Sequence, residues 1–337
     1  MNQKKVSNIV NKTAGFPNLC RSFTGTGHFS CRKALYKFCT LPVLAFLVLS
    51  CSSAPKRPSQ ISTTYNLAVN QLDIGNVESE RGNYKHAENL LDEAWRLAVS
   101  VDSVELRILT QLSFGNLAFY QNNQAEAEKM WQRALDEANA EQNQELIALS
   151  KIYQSRGTLS WGSHADVQES AQNSTQNAKV GAQDSAQSDA QENARRVIQT
   201  VTEQMGYLKK SNQLYTAYAW LLLGFAKKQL GQWQQAEEHF KTAEKIHEDM
   251  LYLELAAYDW YAISSVRSVA GQYEQAVKAM QNAISFDRRA ENTYGLGNDY
   301  LALSEIYKKA GKPEQSQEAR NRSKEIFASS SLLNTPD

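Results

Sequence analysis

The chain has 337 residues, 42% of them hydrophobic, so it is long enough for one large or two ordinary domains with a buried core. Its formal charge of zero is an average over unlike parts, because residues 1–50 hold seven of the 36 basic residues and none of the 36 acidic ones. The rest is acidic, and all four cysteines lie in the first 51 positions. This excludes a cationic nucleic-acid surface, a disulfide framework and a cysteine-based zinc site or nucleophile beyond that point.

Residues 1–50 have the organisation of an export signal. Lysine and arginine residues precede an apolar run over residues 38–50, which is shorter than the roughly 20 residues needed to span a bilayer. The run ends in Val48-Leu49-Ser50-Cys51, which resembles the bacterial lipobox, where a small residue precedes the cysteine that is acylated. The resemblance implies that Cys51 is lipidated. An ordinary signal peptide containing a cysteine and a buried apolar helix are the alternatives.

The segment after the cysteine indicates where the protein is held. Ser52 follows Cys51, and serine at this position resembles the sorting signal of outer-membrane lipoproteins. Residues 51–62 are rich in serine and proline and form a flexible tether with a reach of roughly 18 Å. The resemblance therefore predicts a lipid-anchored protein of the bacterial cell envelope, at the outer membrane and facing the periplasm.

A motif then recurs at intervals of forty residues, centred on an alanine or serine. A glycine or serine stands twelve positions before each centre, and a bulky residue stands four positions after it in every copy except the last, which has Arg320. Glycine or asparagine stands five positions before each centre, where it can end one helix and turn the chain into the next. The centres are Ala87, Ala127, Ala236, Ala276 and Ser316.

These offsets predict a helix, a tight turn and a second helix in each unit, with small residues that let the two helices approach closely. The pattern resembles the tetratricopeptide repeat (TPR) over most of residues 62–328. The resemblance implies an all-α, TPR-type solenoid, a right-handed superhelix of units that bury their apolar faces against neighbours. The usual TPR period is 34 residues, and a period of forty implies longer helices.

Between the second and fourth copies the register breaks. Residues 147–157 match residues 301–311, so they form the first helix of a third unit, whereas residues 165–193 are polar and of low complexity. We expect this insert to be disordered, because it cannot bury enough apolar surface to offset chain entropy. The predicted division is a signal peptide 1–50, the tether 51–62, units one, two and half of three in 63–164, the insert 165–193, the remaining units 194–329 and a tail 330–337.

No constellation of catalytic residues is evident. His239 and His247 lie among glutamates on one predicted helix, which favours a solvated charged face over a metal site. The stretch Gly295–Gly297 follows no strand and lacks the full dinucleotide-binding pattern, so it predicts a turn between helices. We therefore expect no enzymatic activity, no cofactor, no metal and no nucleic-acid partner.

The candidate site is the concave face, which the first helix of each unit lines in TPR superhelices. Asn76 and Asn116 resemble the asparagine of TPR domains that grip C-terminal carboxylates, but leucine stands where that clamp has lysine. Aromatic side chains instead suit an apolar helix or an extended segment laid in the groove; packing between the units is the alternative role for each of them. The predicted groove residues are Asn76, Asn116, Phe119, Tyr218, Leu221, Phe225, Tyr258 and Tyr261.

Together these features predict a membrane-anchored TPR scaffold that binds an envelope protein or peptide segment and serves in the assembly of envelope complexes. Two alternatives remain. The protein could be a transporter-associated component that binds a small hydrophobic ligand, or an enzyme whose site the sequence does not reveal.

Overall fold

The computed structural model describes residues 63–159, 180–208 and 213–333, and all regular elements in these ranges are α-helices. The predicted signal peptide, Cys51 and its tether lie outside the described residues. The twelve helices are α1 Thr63–Glu80, α2 Tyr84–Ser100, α3 Val104–Tyr120, α4 Gln124–Ala140, α5 Gln144–Arg156, α6 Val180–Met205, α7 Gln213–Gln229, α8 Trp233–Asp249, α9 Leu253–Val269, α10 Tyr273–Arg289, α11 Thr293–Lys309 and α12 Pro313–Leu333.

Consecutive helices pair into six helix–turn–helix units, as the sequence predicts. In the regular units each helix has 17 residues, and three residues connect it to the next. Two helices and two connections give the period of forty. None of the helices in the described part of the chain is both long and apolar enough to cross a membrane.

The turns within a unit and between units share one geometry. The amide after the left-handed residue returns to a carbonyl five residues back, as in Asn83 N to Glu78 O at 3.0 Å and Ser103 N to Ala98 O at 3.0 Å. Within units the left-handed residue is the predicted glycine or asparagine, such as Gly271 at φ 76°. Between units it is a residue with a side chain, such as Leu251 at φ 63°. The sequence pattern does not mark this second set.

Close packing within a unit pairs a small residue with a bulky one, which confirms the predicted offsets. A Cβ atom added to Gly115 would lie 2.2 Å from Trp131 Nε1, and one added to Gly224 would lie 2.4 Å from the Phe240 ring. The alanine at the centre of each motif faces the same contact and has no exposed surface in four units: Ala87, Ala127, Ala236 and Ala276.

The sixth unit departs from this pattern at the position where its sequence lacks the bulky apolar residue. Arg320 replaces the bulky residue and donates a hydrogen bond to Glu305 of the preceding helix. Phe327, seven residues after Arg320 on the same helix, packs against Gly297, since a Cβ atom added to Gly297 would lie 2.4 Å from its ring. Gly295–Gly297 therefore lies inside α11, and the prediction of a turn there is wrong. Helix α12 continues to Leu333, beyond the predicted start of the tail at residue 330.

The third unit is completed by α6, whose packed part agrees with the sequence and whose start does not. Ala194, Val197 and Val201 are buried against α5 and α7, as expected for a second helix that resumes near residue 194. The helix itself begins at Val180. The expectation that residues 165–193 lack regular structure is therefore wrong for 180–193, since a polar helix can project beyond the part that packs. Residues 160–179 lie outside the described residues.

Candidate functional site on the inner face

The first helices of successive units bring polar and aromatic side chains together on one face, here called the inner face. Arg156 at the end of α5 donates from Nη2 to the Tyr120 hydroxyl at 2.7 Å. The Tyr120 hydroxyl in turn lies 3.3 Å from Glu80 Oε1 at the end of α1. Arg156 is buried, with 3% of its surface exposed. Through Tyr120, this buried guanidinium links α5 to α3 and α1. It lies at the centre of the polar group on this face.

Aromatic rings surround that guanidinium. Its carbon lies 5.3 Å from the Phe119 ring centre and 4.8 Å from the Tyr120 ring centre, within the range of cation–π attraction. Tyr153 of α5 stacks on Tyr218 of α7, with ring centres 4.4 Å apart. Burial raises the pKa of the Tyr153 hydroxyl well above its usual value, so this hydroxyl stays protonated.

The predicted groove aromatics of α7 and α9 continue this arrangement. The Phe225 and Tyr258 ring centres lie 6.2 Å apart, and those of Tyr258 and Tyr261 lie 6.4 Å apart with parallel rings. Each of these side chains is half-buried. The structure therefore places Phe119, Tyr218 and this trio on the inner face.

The remaining predicted groove residues are less accessible to a partner. Leu221 is 7% exposed and Asn116 is 9% exposed, so both contribute to packing between helices. Asn76 is half-buried on α1. For Leu221 and Asn116 the alternative of packing between units describes their position better than contact with a partner.

Opposite sides of the inner face touch each other through Arg81, immediately after α1. Its Nη2 lies 3.3 Å from Glu254 Oε1 in α9 and 3.4 Å from Asn292 Oδ1, the residue before α11. Its Nη1 lies 3.0 Å from Glu78 Oε1. A helix with side chains is about 10–12 Å wide, so it cannot lie between these helices without separating them.

An acidic cleft lies beside this contact, between α1, α9, α10 and α11. Its carboxyl groups belong to Glu80, Glu254, Asp287 and Asp299, and Arg81 is its cation. Three tyrosines complete the wall, namely Tyr258, Tyr261 and Tyr294. Water-sized groups have about 40 Å³ of space in it. We call this feature the acidic cleft.

A basic pair lies elsewhere on the same set of helices. Lys228 of α7 donates to Ser265 Oγ of α9 at 2.7 Å. Burial, together with the nearby charge of Lys309 in α11, lowers the pKa of Lys228 to about 8. The inner face therefore carries both signs of charge in separate places.

Sequence reasoning missed the polar centre, although one signal was present. Arg156 stands where the matching segment of the sixth unit has Ala310, so a long charged side chain replaces a small one at a helix end. Tyr120 directly follows Phe119, which was predicted to lie in the groove. Nothing in the sequence distinguishes Glu80 from an ordinary solvent-exposed glutamate at a helix end.

Comparisons with known proteins found one family model and several solved structures that are similar to this chain. A tetratricopeptide-repeat family model matches residues 71–101. BtubC (BKLC) from P. vanneervenii is 15% identical, with a TM-score of 0.48, over 79% of this chain and 94% of that one. Aspartyl phosphate phosphatase F from Bacillus subtilis is 14% identical, with a TM-score of 0.46, over 81% of this chain and 77% of that one. No curated protein sequence matches the chain.

One of the six helix–turn–helix units matches the tetratricopeptide-repeat model, and the described chain has an all-α solenoid fold of the tetratricopeptide-repeat type. Solenoids of this class present extended concave surfaces on which other proteins bind. The fold of this protein is therefore that of a protein–protein interaction scaffold.

Proposed function

We propose that this protein is a lipid-anchored scaffold of the bacterial cell envelope that binds a segment of another envelope protein on its inner face. The observation that carries the binding part is the convergence of aromatic side chains around Arg156 from three helices, α3, α5 and α7. Aromatic and arginine side chains dominate the binding energy of many protein interfaces. The anchor rests on the lipobox-like motif at Cys51 and on the leader that precedes it.

The inner face favours an extended segment over a helix. Arg81 joins α1 to α9, and Arg156 joins α5 to α3, so the interior is narrow where these contacts occur. An extended chain can follow the tyrosines of α7 and α9 and offer its backbone amides and carbonyls to their hydroxyl groups. We therefore propose an extended or irregular partner segment in place of the apolar helix that the sequence also allowed.

On the inner face, binding of a small hydrophobic ligand, the rival function, has less support than binding of a protein segment. Pockets for such ligands have volumes of about 300–1,000 Å³ and mostly apolar walls. The acidic cleft offers about 40 Å³ and is lined by four carboxyl groups. The absence of enzymatic activity stays a prediction.

Binding on the inner face is tested by co-purification from detergent-solubilised membranes. Tyr153 and Tyr218 stack on each other, so Tyr153→Ala with Tyr218→Ala removes both members of one contact. The matched control is Glu238→Ala with Lys245→Ala, at exposed positions of α8. We expect the wild type and the control to retain the same stoichiometric protein in quantitative mass spectrometry, and the tyrosine variant to lose it while still folded. Equal retention by all three would contradict the proposal.

The anchor is tested separately at Cys51. Wild-type protein should begin at an acylated Cys51 in intact-mass analysis and should fractionate with membranes. Cys51→Ala should leave the leader uncleaved or release the protein from the membrane fraction. Wild-type protein that keeps its leader, or that is soluble without detergent, would contradict the lipoprotein part and leave the inner-face binding to its own test.

A further inference from the structure

The acidic cleft is lined by four carboxyl groups and by one cation, Arg81. Arg81 already divides its guanidinium between Glu78 at 3.0 Å, Glu254 at 3.3 Å and Asn292 at 3.4 Å. The last two contacts are at the long end of hydrogen-bond distances. Arg81 is thus engaged by groups at the rim, while Asp287 and Asp299 form the floor.

The floor consists of two buried carboxyl groups, Asp287 and Asp299. Asp287 Oδ1 receives a hydrogen bond from Asn292 Nδ2 at 2.9 Å. Asp299 is 2% exposed and its carboxyl group contacts that of Asp287, while its Oδ2 receives no hydrogen bond from a nitrogen or hydroxyl donor of the described residues. Leaving such an atom unsatisfied costs free energy, whereas an incoming donor would recover it. A hydrogen-bond donor from a bound ligand would therefore lower the free energy of the cleft.

We propose that the acidic cleft binds a primary ammonium group, supplied by a lysine side chain or an amino terminus of the protein segment on the inner face. An ammonium group carries a positive charge and three donors, which suits several carboxylates around one point. The tyrosine rings of Tyr258, Tyr261 and Tyr294 form the rest of the wall, and aromatic rings attract an alkylammonium cation.

The size of the cleft suits a small cation such as an ammonium group. A water-sized group needs about 10–15 Å³ of such space, and the cleft has about 40 Å³. An ammonium group with its last methylene fits this volume, while a planar guanidinium is larger and Arg81 already supplies one. In the described residues no group of three or more histidine, cysteine or carboxyl side chains is arranged to hold a metal.

The inference rests on the proposed function, because it assigns one contact of the partner segment that the inner face would bind. The two can nevertheless fail separately. Partner binding is tested by substitutions at Tyr153 and Tyr218, which do not line the acidic cleft. The experiment below measures ligand binding to the cleft in the absence of any partner protein.

The test uses the purified full chain and three probes followed by ligand-observed NMR titration. The probes are butylammonium, the peptide acetyl-Gly-Gly-Lys-Gly-Gly-amide, and the same peptide with uncharged norleucine in place of lysine. We expect the lysine peptide to bind about tenfold or more tightly than the norleucine peptide, because charge-assisted hydrogen bonds to the carboxylates are lost with the ammonium group. Ethylguanidinium should bind more weakly than butylammonium.

Two variants locate the binding. Asp299→Asn keeps the shape of the floor and removes the negative charge that Asp299 would carry beside a bound ammonium group, and it should weaken the lysine peptide about tenfold. Glu254→Gln, on the half-buried rim, should also weaken binding of the lysine peptide. If Asp299→Asn does not fold, Glu254→Gln serves as the test of the ammonium site. The matched control Glu238→Gln lies at an exposed position of α8 and should bind like the wild type.

Each other outcome overturns a stated part of the proposal. Equal affinity for the lysine and norleucine peptides would overturn the ammonium site, as would unchanged binding to folded Asp299→Asn, or to Glu254→Gln where Asp299→Asn does not fold. Butylammonium that binds as tightly as the lysine peptide would assign the cleft to a free amine and overturn its role in holding a protein segment. Loss of the co-purifying protein from the tyrosine variant, together with failure of the amine titration, would overturn this inference alone.

Discussion

At the scale of single residues, the carboxyl pair on the floor of the cleft is the most unusual feature. Asp287 is 3% exposed and Asp299 is 2% exposed, and they face each other between α10 and α11. Burial raises the pKa of Asp299 well above its usual range, and the charge of Asp287 raises it further. Burial also raises the pKa of Asp287. The free chain therefore holds these groups partly protonated near neutral pH.

This arrangement predicts a stability that falls as the pH rises. A carboxyl whose pKa is higher in the folded chain stabilises the fold most below its unfolded value of about 4, and this contribution is lost as the pH rises through the folded value. Asp299→Asn keeps a neutral side chain at every pH. The variant should melt a few degrees above the wild type at pH 8 and show a smaller difference between pH 5 and pH 8.

The matched control for this prediction is Asp249→Asn, an exposed carboxyl in the last turn of α8. It should leave the pH profile of the melting temperature unchanged. A melting temperature of Asp299→Asn that falls below the wild type at pH 8 would show that the ionised carboxylate stabilises the fold.

A second residue-scale prediction concerns the left-handed turns. Gly271 has φ 76° and no atom within 4 Å of an added Cβ, so Gly271→Ala changes only the backbone preference. It should lower the free energy of unfolding by about 1 kcal/mol. Gly206 also has open space, but its φ lies outside the left-handed range. Gly206→Ala should therefore be neutral or slightly stabilising in urea denaturation, and equal effects of the two would contradict this account.

At the scale of helices, each unit is held by one small residue against one bulky residue. Trp131 has no exposed surface, and its Nε1 donates to Leu112 O at 3.2 Å. Its ring therefore lies against α3 at the point where Gly115 has no side chain. The same arrangement recurs with Leu91 and Phe240, which explains why the offset of four residues carries a bulky side chain.

Gly115→Ala should destabilise the second unit more than a turn substitution does. The new methyl group would lie 2.2 Å from Trp131 Nε1, and the ring cannot move without losing its buried hydrogen bond. We expect a loss of about 1–3 kcal/mol in the free energy of unfolding, the usual cost of overpacking. Urea denaturation followed by tryptophan fluorescence measures it, with Gly206→Ala as the control. A neutral Gly115→Ala would mean that α3 and α4 can separate without cost.

At the scale of the whole repeat array, Arg81 distinguishes this solenoid from an open one. In a simple solenoid each repeat contacts only its neighbours. Here Arg81 bonds to Glu254, which lies 173 residues further along the chain, and to Asn292, which lies 211 residues further. These contacts hold the first unit against the fifth and against the turn before the sixth.

Removing that contact should open the array more than it destabilises any single unit. We expect Arg81→Ala to increase the radius of gyration in small-angle X-ray scattering and to speed amide hydrogen exchange at the end of α1. Individual surface ion pairs contribute only about 0–1 kcal/mol, so the melting temperature should change little. Arg96→Ala, which breaks the exposed pair with Glu93 on α2, is the control and should change neither measurement. Unchanged scattering by Arg81→Ala would show that packing alone sets the curvature.

The repeat architecture could be predicted from the amino-acid sequence. Six units, their forty-residue period, the turns at Gly82 and its equivalents, and the glycine–aromatic contacts such as Gly115 with Trp131 all follow from patterns within one unit. Such patterns are local, so they repeat and can be found in a single sequence. The inner-face aromatics were partly predictable for the same reason, since they recur at the period.

Which side chains meet on the inner face could not be predicted from the sequence, because it depends on how the units pack in three dimensions. Glu80, Tyr120 and Arg156 come from three different units, and Arg81 reaches Glu254 across 173 residues. Whether these side chains meet depends on the small rotation between each unit and the next. These rotations add up along the chain, and the sequence of a single repeat does not reveal their total. The carboxyl pair of Asp287 and Asp299 is likewise two ordinary acidic residues in the sequence. Burial at the junction of α10 and α11 makes them the floor of a cleft.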